Sequence, residues 1–240
     1  TKTLRLNAHA VEAAGGALAG SLGFDPRQAF SLNAKLSGEI SRGRFELDAR
    51  LGATQPLKAS GAWTPEGGSA AGLAVLSAST LTAPYGVRFG NSARFEISGA
   101  KAAGGFYDLK ARIDAENLTL SARGLGDIGE RKLGPGGLAL DATVPVMSRI
   151  LSTPALGRTT ARAVLTGQLS DWVLDGSASA ERFELGGYTL ARVSGPARLD
   201  FKGGELSIKT DLAGQGGAGA GSYAALLGAR PKATADISRL

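Results

Sequence analysis

Apolar and polar residues alternate with a period of two along nearly the whole chain, and that leaves it few folds. Phe30, Leu32, Ala34 and Leu36 alternate with Ser31, Asn33 and Lys35, and Phe45, Leu47, Ala49 and Leu51 alternate with Arg44, Glu46, Asp48 and Arg50. The pattern returns at Ala93-Phe95-Ile97-Gly99 and at Tyr107-Leu109-Ala111-Ile113-Ala115, continues at Leu118-Leu120-Ala122, and recurs at Leu138-Leu140-Ala142-Val144, Trp172-Leu174-Gly176-Ala178, Ala197-Leu199-Phe201 and Leu206-Ile208. Successive side chains of a β-strand point to opposite faces, so this period predicts about fourteen strands, each with one apolar and one polar side.

Short Gly, Asn or Asp connections such as Ser41-Arg42-Gly43, Ala102 to Gly105 and Lys202-Gly203-Gly204 separate the runs. Connections of that length join antiparallel neighbours, and the expected fold is all-β, an antiparallel sheet with few short helices. One face of such a sheet is wet and the other has to be covered. The composition bears on what covers it. The chain has 36 glycines and 41 alanines among 240 residues, and aromatics make up only 6%. A core filled by bulky side chains is not indicated, and an apolar face rich in Ala and Gly leaves room in front of it.

Composition also removes familiar chemistries. With no cysteine and a single histidine, His9, the chain has no disulfide framework or thiolate site and no multi-histidine metal site or Ser-His-Asp relay. Neither a catalytic residue, a metal nor a cofactor is expected. His9 alternates outward with Arg5 and Asn7 as a surface residue. Gly214 to Gly219 matches GxGxxG, but hairpins elsewhere do not supply the parallel sheet and crossover helices of a dinucleotide fold, so the tract reads as a glycine-rich loop. The close carboxylate pairs Glu46/Asp48, Asp108/Asp114, Asp114/Glu116 and Asp171/Asp175 are interleaved with Arg or Lys on polar strand faces, where cross-strand charge pairing accounts for them. Asn117-Leu118-Thr119 is a chance-level glycosylation sequon. The net charge of +6 is spread evenly over both halves without a basic stripe, so nucleic acid is not an expected partner. A mildly basic surface suits anionic lipid headgroups.

The uncharged stretch Gly67 to Val87 is too rich in Ser, Thr, Gly and Pro for a transmembrane helix. Helical spacing is confined to Pro145–Leu156, read as a connecting helix, a cap, a seam or a structured loop, and to a turn or two at Tyr223–Leu227. This divides the chain into a sheet segment 1–144, a linker or short helix 145–157 and a continuing sheet segment 158–240. The opening Thr1-Lys2 and closing Arg239-Leu240 read as the ends of a segment of something longer. The phrases RFELDARLG, RFEISGA and RFELGG recur at Arg44, Arg94 and Arg182, but at unequal spacing, which does not support a solenoid.

Three stretches, Tyr107 to Leu125, Leu165 to Gly217 and Ser222 to Leu240, carry short charged and apolar strands, the phrases LTGQLSDW and GPARLDFKGGELSI, and a glycine tract followed by SYAALLGARP. In these the chain resembles the TamB family and the wider AsmA-like group of Gram-negative envelope proteins. The resemblance implies an elongated, folded-over sheet forming an open apolar groove in the periplasm. The protein would be held to the inner membrane by an anchor outside this segment. It further implies phospholipid movement between the membranes, outer-membrane protein and autotransporter assembly with a BamA-like barrel partner, and no enzymatic activity. An eight-residue strand is about 26 Å long, comparable to an acyl chain, so phospholipid acyl chains would supply the missing cover. The expected groove wall is Phe45, Leu47, Phe95, Ile97, Leu109, Ile113, Leu118, Leu120, Leu138, Leu140, Trp172, Leu174, Leu199, Phe201, Leu206 and Ile208. The competing expectation is a secreted structural β protein, an adhesin or autotransporter passenger, whose apolar face closes on its own core.

Overall fold

The computed structural model describes residues 3–151, 155–168 and 170–238. Within them the chain builds one antiparallel sheet whose strands follow one another in sequence order. They are β1 (Thr3–Glu12), β2 (Phe30–Glu39), β3 (Gly43–Leu51), β4 (Thr54–Thr64), β5 (Gly67–Val75), β6 (Ser92–Lys101) and β7 (Tyr107–Ala115). Next come β8 (Leu118–Asp127), β9 (Lys132–Val144), β10 (Thr159–Gly167), β11 (Asp171–Leu185), β12 (Tyr188–Lys202), β13 (Glu205–Gln215), β14 (Ala218–Gly219) and β15 (Lys232–Ser238). The path starts at β1 and ends with β15 beside β13, while the two-residue β14 pairs with β12. The sheet is not closed into a barrel. Helices are few and short: α1 (Ala17–Ser21), α2 (Ala83–Phe89), α3 (Ser222–Leu227) and three single 3₁₀ turns. Among the described residues no helix is long and apolar enough to cross a membrane.

Local chemistry explains the meander. Leu185 pairs with Tyr188 and Lys202 with Glu205, leaving Gly186-Gly187 and Gly203-Gly204 as two-residue turns. Both residues of each turn have positive φ, 56° and 79° in the first and 60° and 86° in the second. That is the backbone of a hairpin turn whose twist matches the strands, and glycine adopts it without a Cβ penalty. Prolines inside strands sit where the ladder is interrupted, because proline has no N–H to donate. Pro56 falls at the register shift opposite Ala49 and Leu51. Pro135 falls in the irregularity between Gly124 and Gly126 and their partners on β9. Pro196 occupies a gap in the β12–β13 pairing, where its carbonyl accepts the Thr210 hydroxyl at 2.8 Å.

By compactness the chain divides into two units, the first of residues up to Lys101 with Leu109–Glu116, the second of Ala102–Asp108 with the residues from Asn117 on. The buried core of the first is small: Ala19 of α1 packs with Phe30, Ala49 and Leu51, flanked by Phe24, Leu32 and Leu57. Glu12 fixes α1 there, its carboxylate accepting the Leu18 and Ala19 amides at 2.8 Å each. In the second unit the buried apolar side chains are Val144, Ala180, Tyr188 and Leu190. The Tyr188 hydroxyl donates to the Gly228 carbonyl at 2.6 Å and so anchors the excursion that carries α3.

Of the stretches with helical spacing, Tyr223–Leu227 lies in α3, which starts at Ser222. Within 145–157, residues Met147–Arg149 form a 3₁₀ turn, and residues 152–154 lie outside the described residues. The short helices α1 and α2 had no periodic signal. The glycine tract ends β13, forms β14 against β12 and leads into α3.

Candidate functional site

Register assembles the alternating residues into continuous apolar rows. In the first unit, Leu6–Leu36–Phe45–Gly61–Ala70–Ile97 forms one row and Ala8–Ala34–Leu47–Ala59–Gly72–Phe95 the next. Leu109 lies on the same side, its Cδ2 3.2 Å from where a Cβ on Gly99 would stand, and Ile113 follows it by strand periodicity. In the second unit, Gly124–Leu138–Leu165–Leu174–Leu199–Ile208–Ile237 crosses seven strands. Beside it run Ala122–Leu140–Ala163–Gly176–Ala197 and Trp172–Phe201–Leu206. Trp172 and Phe201 stack with ring centroids 5.4 Å apart. Leu120 joins this face opposite Ala142, with Leu118 two residues away on the same side. Within each unit, then, the expected wall residues share one face.

That face is not packed away. Ile97 is 52% exposed, and each of the other fifteen wall residues is only partly buried. The accessible surface makes the same point for the whole chain. It totals 14933 Å² for 24.3 kDa, whereas a compact globule of that mass exposes about 10,000 Å² and two separate globules of half the mass about 12,000 Å². Apart from α1 over Phe30, Ala49 and Leu51, the described residues leave the wall residues of these rows partly exposed.

The glycines of the face have a specific use. A Cβ on Gly61 would stand 2.4 Å from Cε1 of Phe45, one on Gly72 2.7 Å from Cζ of Phe95, and one on Gly43 2.3 Å from Cζ2 of Trp63. Each ring therefore lies flat over a neighbouring strand where no side chain stands up. The expectation of space in front of the wall needs that amendment, since part of the room left by glycine is filled by an aromatic from the next strand.

Sequence reasoning passed over Leu165, Ile237 and Leu36, which stand in the same rows. β10 reads Ala-Val-Leu at Ala163–Leu165, and Val164, on the polar side, hides the alternation. β15 is short and built mostly of small residues. Leu36 had the right periodicity and was legible as wall from that alone.

The opposite face is a lattice of charge pairs set by register. Asp141 and Arg162 are cross-strand partners, as are Asp175 and Arg198, with N–O separations of 3.0 and 3.3 Å. Lys209 meets Asp236 at 3.3 Å. Of the close carboxylates, Asp48, Asp114 and Asp175 are ion-paired on this face. Arg112 holds Asp114 through two hydrogen bonds, 2.6 and 2.8 Å, and the Gln55 amide, with Arg50 behind it, holds the Asp48 carboxyl below its ordinary value. Asp200 is lowered by its bond from Arg198. His9 is exposed on β1, its Nδ1 2.6 Å from Oδ1 of Asn33. Among the described residues no His, Asp and Glu cluster of three could hold a metal. Polar-row side chains also line two open depressions, one of about 650 Å³ between Arg44, Glu46, Glu96 and Lys110 in the first unit. The second, about 690 Å³, lies between Asp141, Arg162, Ser177 and Pro196 in the second unit. No protein-family model, curated protein or solved structure matches this chain.

Proposed function

We propose that this chain is a periplasmic segment of a TamB/AsmA-like envelope protein whose apolar sheet face shelters phospholipid acyl chains. In this reading it carries lipid between the inner and outer membranes, or assists outer-membrane protein assembly beside a BamA-like barrel. The observation that carries the reading is the set of aliphatic and aromatic rows whose wall residues stay partly exposed among the described residues. Hydrocarbon laid on such rows gains about 25 cal/mol for each Å² taken from water, and the strand lengths match an acyl chain. The charge lattice on the other face keeps that side in water, and the basic surface favours anionic headgroups.

The experiment is lipid extraction and native mass spectrometry of the purified chain, with Leu109→Arg and Ile113→Arg alongside. The reading expects co-purifying phospholipid in the wild type and its loss in both variants at unchanged expression. A wild type without lipid, or variants that bind and transfer lipid normally, overturns it and leaves a structural β protein as the better account.

A further inference from the structure

The two long connections of the first unit, 13–29 after β1 and 76–91 after β5, leave strands that run in the same direction, so both lie at one end of that unit's strands. They are built as one piece. Phe24 bridges to Ser79, the Thr80 amide donates to the Gly23 carbonyl at 2.7 Å, and the buried Ser79 hydroxyl donates to the Leu22 carbonyl at 2.7 Å. The Leu81 side chain rests against Gly23, Cγ 3.0 Å from the position of a Cβ there. Tyr85 and Phe89 stack at 6.5 Å with planes 5° apart. A structure tied this firmly nevertheless turns its large apolar side chains outward. Val87 is 84% exposed, Leu81 65% and Tyr85 57%, with Leu18 and Leu22 exposed beside them.

We infer that this rim is a membrane-contact surface that seats the first unit on a lipid bilayer with Leu81, Tyr85 and Val87 among the headgroups and upper acyl chains. Its chemistry selects that occupant. Between Gly67 and Ala93 the single charged residue is Arg88, and 13–24 carries none. The nearby Asp25 and Arg27 neutralise each other through two side-chain bonds of 3.0 Å. Inserting the rim therefore takes no lone acid out of water, and the net charge of +6 favours an anionic bilayer. The backbone groups of the tie are paired internally, as a segment entering apolar surroundings requires. Tyr at the edge of an aliphatic patch is the side chain that sits at the headgroup level.

The test is co-sedimentation of the whole chain with vesicles of phosphatidylcholine, and of phosphatidylcholine mixed with phosphatidylglycerol. Wild type binds both and the anionic vesicles more tightly. Leu81→Asp and Val87→Asp, at positions too exposed to unfold the unit, lower the partition coefficient about tenfold or more. Ile40→Asp, 76% exposed at the other strand end, leaves it unchanged. Because the chain has no cysteine, Val87→Cys carrying an environment-sensitive fluorophore brightens and shifts to the blue with vesicles, while Ile40→Cys does not. No vesicle binding, equal binding by the Asp variants, or equal loss with Ile40→Asp overturns the inference. So does a vesicle-free oligomer that Val87→Asp dissociates, which makes the patch a self-interface. Co-purifying lipid without vesicle binding removes this inference and leaves the acyl-chain reading standing.

Discussion

Leu199 and Leu190 lie on the same strand, β12, and the same substitution at each separates a partly exposed position from a covered one. Leu199 stands between Leu174 and Ile208, half-buried among sheet neighbours. Leu190 is 6% exposed, with its Cδ1 near Gly214 and Pro231 beyond. Fully burying a leucine contributes about 1.5–3 kcal/mol. Leu199 keeps part of its area in water, so about 1–2 kcal/mol is at stake there. The arginine stem can lie along the row with its guanidinium in water, which recovers part of it. Leu199→Arg is then expected to lower the melting temperature by about 2–4 °C in a chain of this size. Leu190→Arg loses the buried leucine and places an unpaired charge inside, about 4 kcal/mol or more, enough to unfold the second unit. Thermal denaturation followed by circular dichroism reads both, and lipid extraction of the folded Leu199→Arg protein is expected to recover no phospholipid. If Leu199→Arg melts as low as Leu190→Arg, the face is packed against protein, and the argument from half-buried rows and excess surface collapses.

Four further outcomes follow from single sites. Gly72→Ala places a Cβ 2.5 Å from the Lys58 carbonyl oxygen and 2.7 Å from the Phe95 ring; overpacking of this kind costs about 1–3 kcal/mol, read as a lower urea midpoint. Tyr188→Phe removes the bond to Gly228 and costs about 1 kcal/mol, and limited proteolysis is expected to cut within 216–231 before anywhere else in the second unit. Glu12 is held below its ordinary pKa chiefly by the Ala19 amide and then by that of Leu18; what a depressed carboxyl contributes is present above its unfolded pKa and lost as pH falls through the folded one. Hydrogen exchange at the Leu18 and Ala19 amides is therefore expected to lose protection on acidification, and Glu12→Ala to remove that protection at neutral pH. Asp25 is lowered to about 2 by the Arg27 side chain and then its amide, so a carboxyl-carbon titration by nuclear magnetic resonance is expected to find it there and to return it to the ordinary range in Arg27→Ala; unchanged titration refutes the pairing.

How much of this was legible in the sequence depended on whether a residue's role was local. Strand identity and facing are properties of i and i+2, so Phe45 with Leu47, or Leu138 with Leu140, could be placed on one face by reading alone. Turn chemistry is equally local, which is why Gly203-Gly204 marked a hairpin. Register is not local. That Leu138 stands in one row with Leu165, Leu174, Leu199 and Ile208 depends on how much chain each turn consumes, and the irregularity around Pro135 consumes several residues that alternation does not count. The short helices escaped for a related reason. α1 and α2 are too short for a hydrophobic period to show, and α1 is held by Glu12 and by burial of Ala19, contacts that exist only once β1, β2 and β3 have paired.

The glycines join these two levels. Read as composition, glycine and alanine meant a face with little bulk and space before it. In place, Gly61, Gly72 and Gly43 are where Phe45, Phe95 and Trp63 lie across the neighbouring strand, so smallness in one strand and breadth in the next are a single arrangement. A ring lying flat gives the face large apolar area with little relief. Such a surface suits a ligand of variable conformation: an acyl chain can slide along rows of Leu, Ala and flat rings without meeting a pocket of fixed shape. A specific protein ligand would ask for the opposite, deep complementary pockets around a few anchors. The substitution that separates the two is one that adds relief without polarity. Gly176→Leu, in the Leu140–Ala163–Gly176–Ala197 row, is not that substitution, because its Cβ would stand 2.2 Å from the Arg162 carbonyl oxygen. Ala163→Leu, half-buried in the same row, extends a side chain that already stands on the face. It is expected to leave folding intact and to keep lipid co-purifying, whereas a face matched to one rigid partner loses that partner when its contour changes.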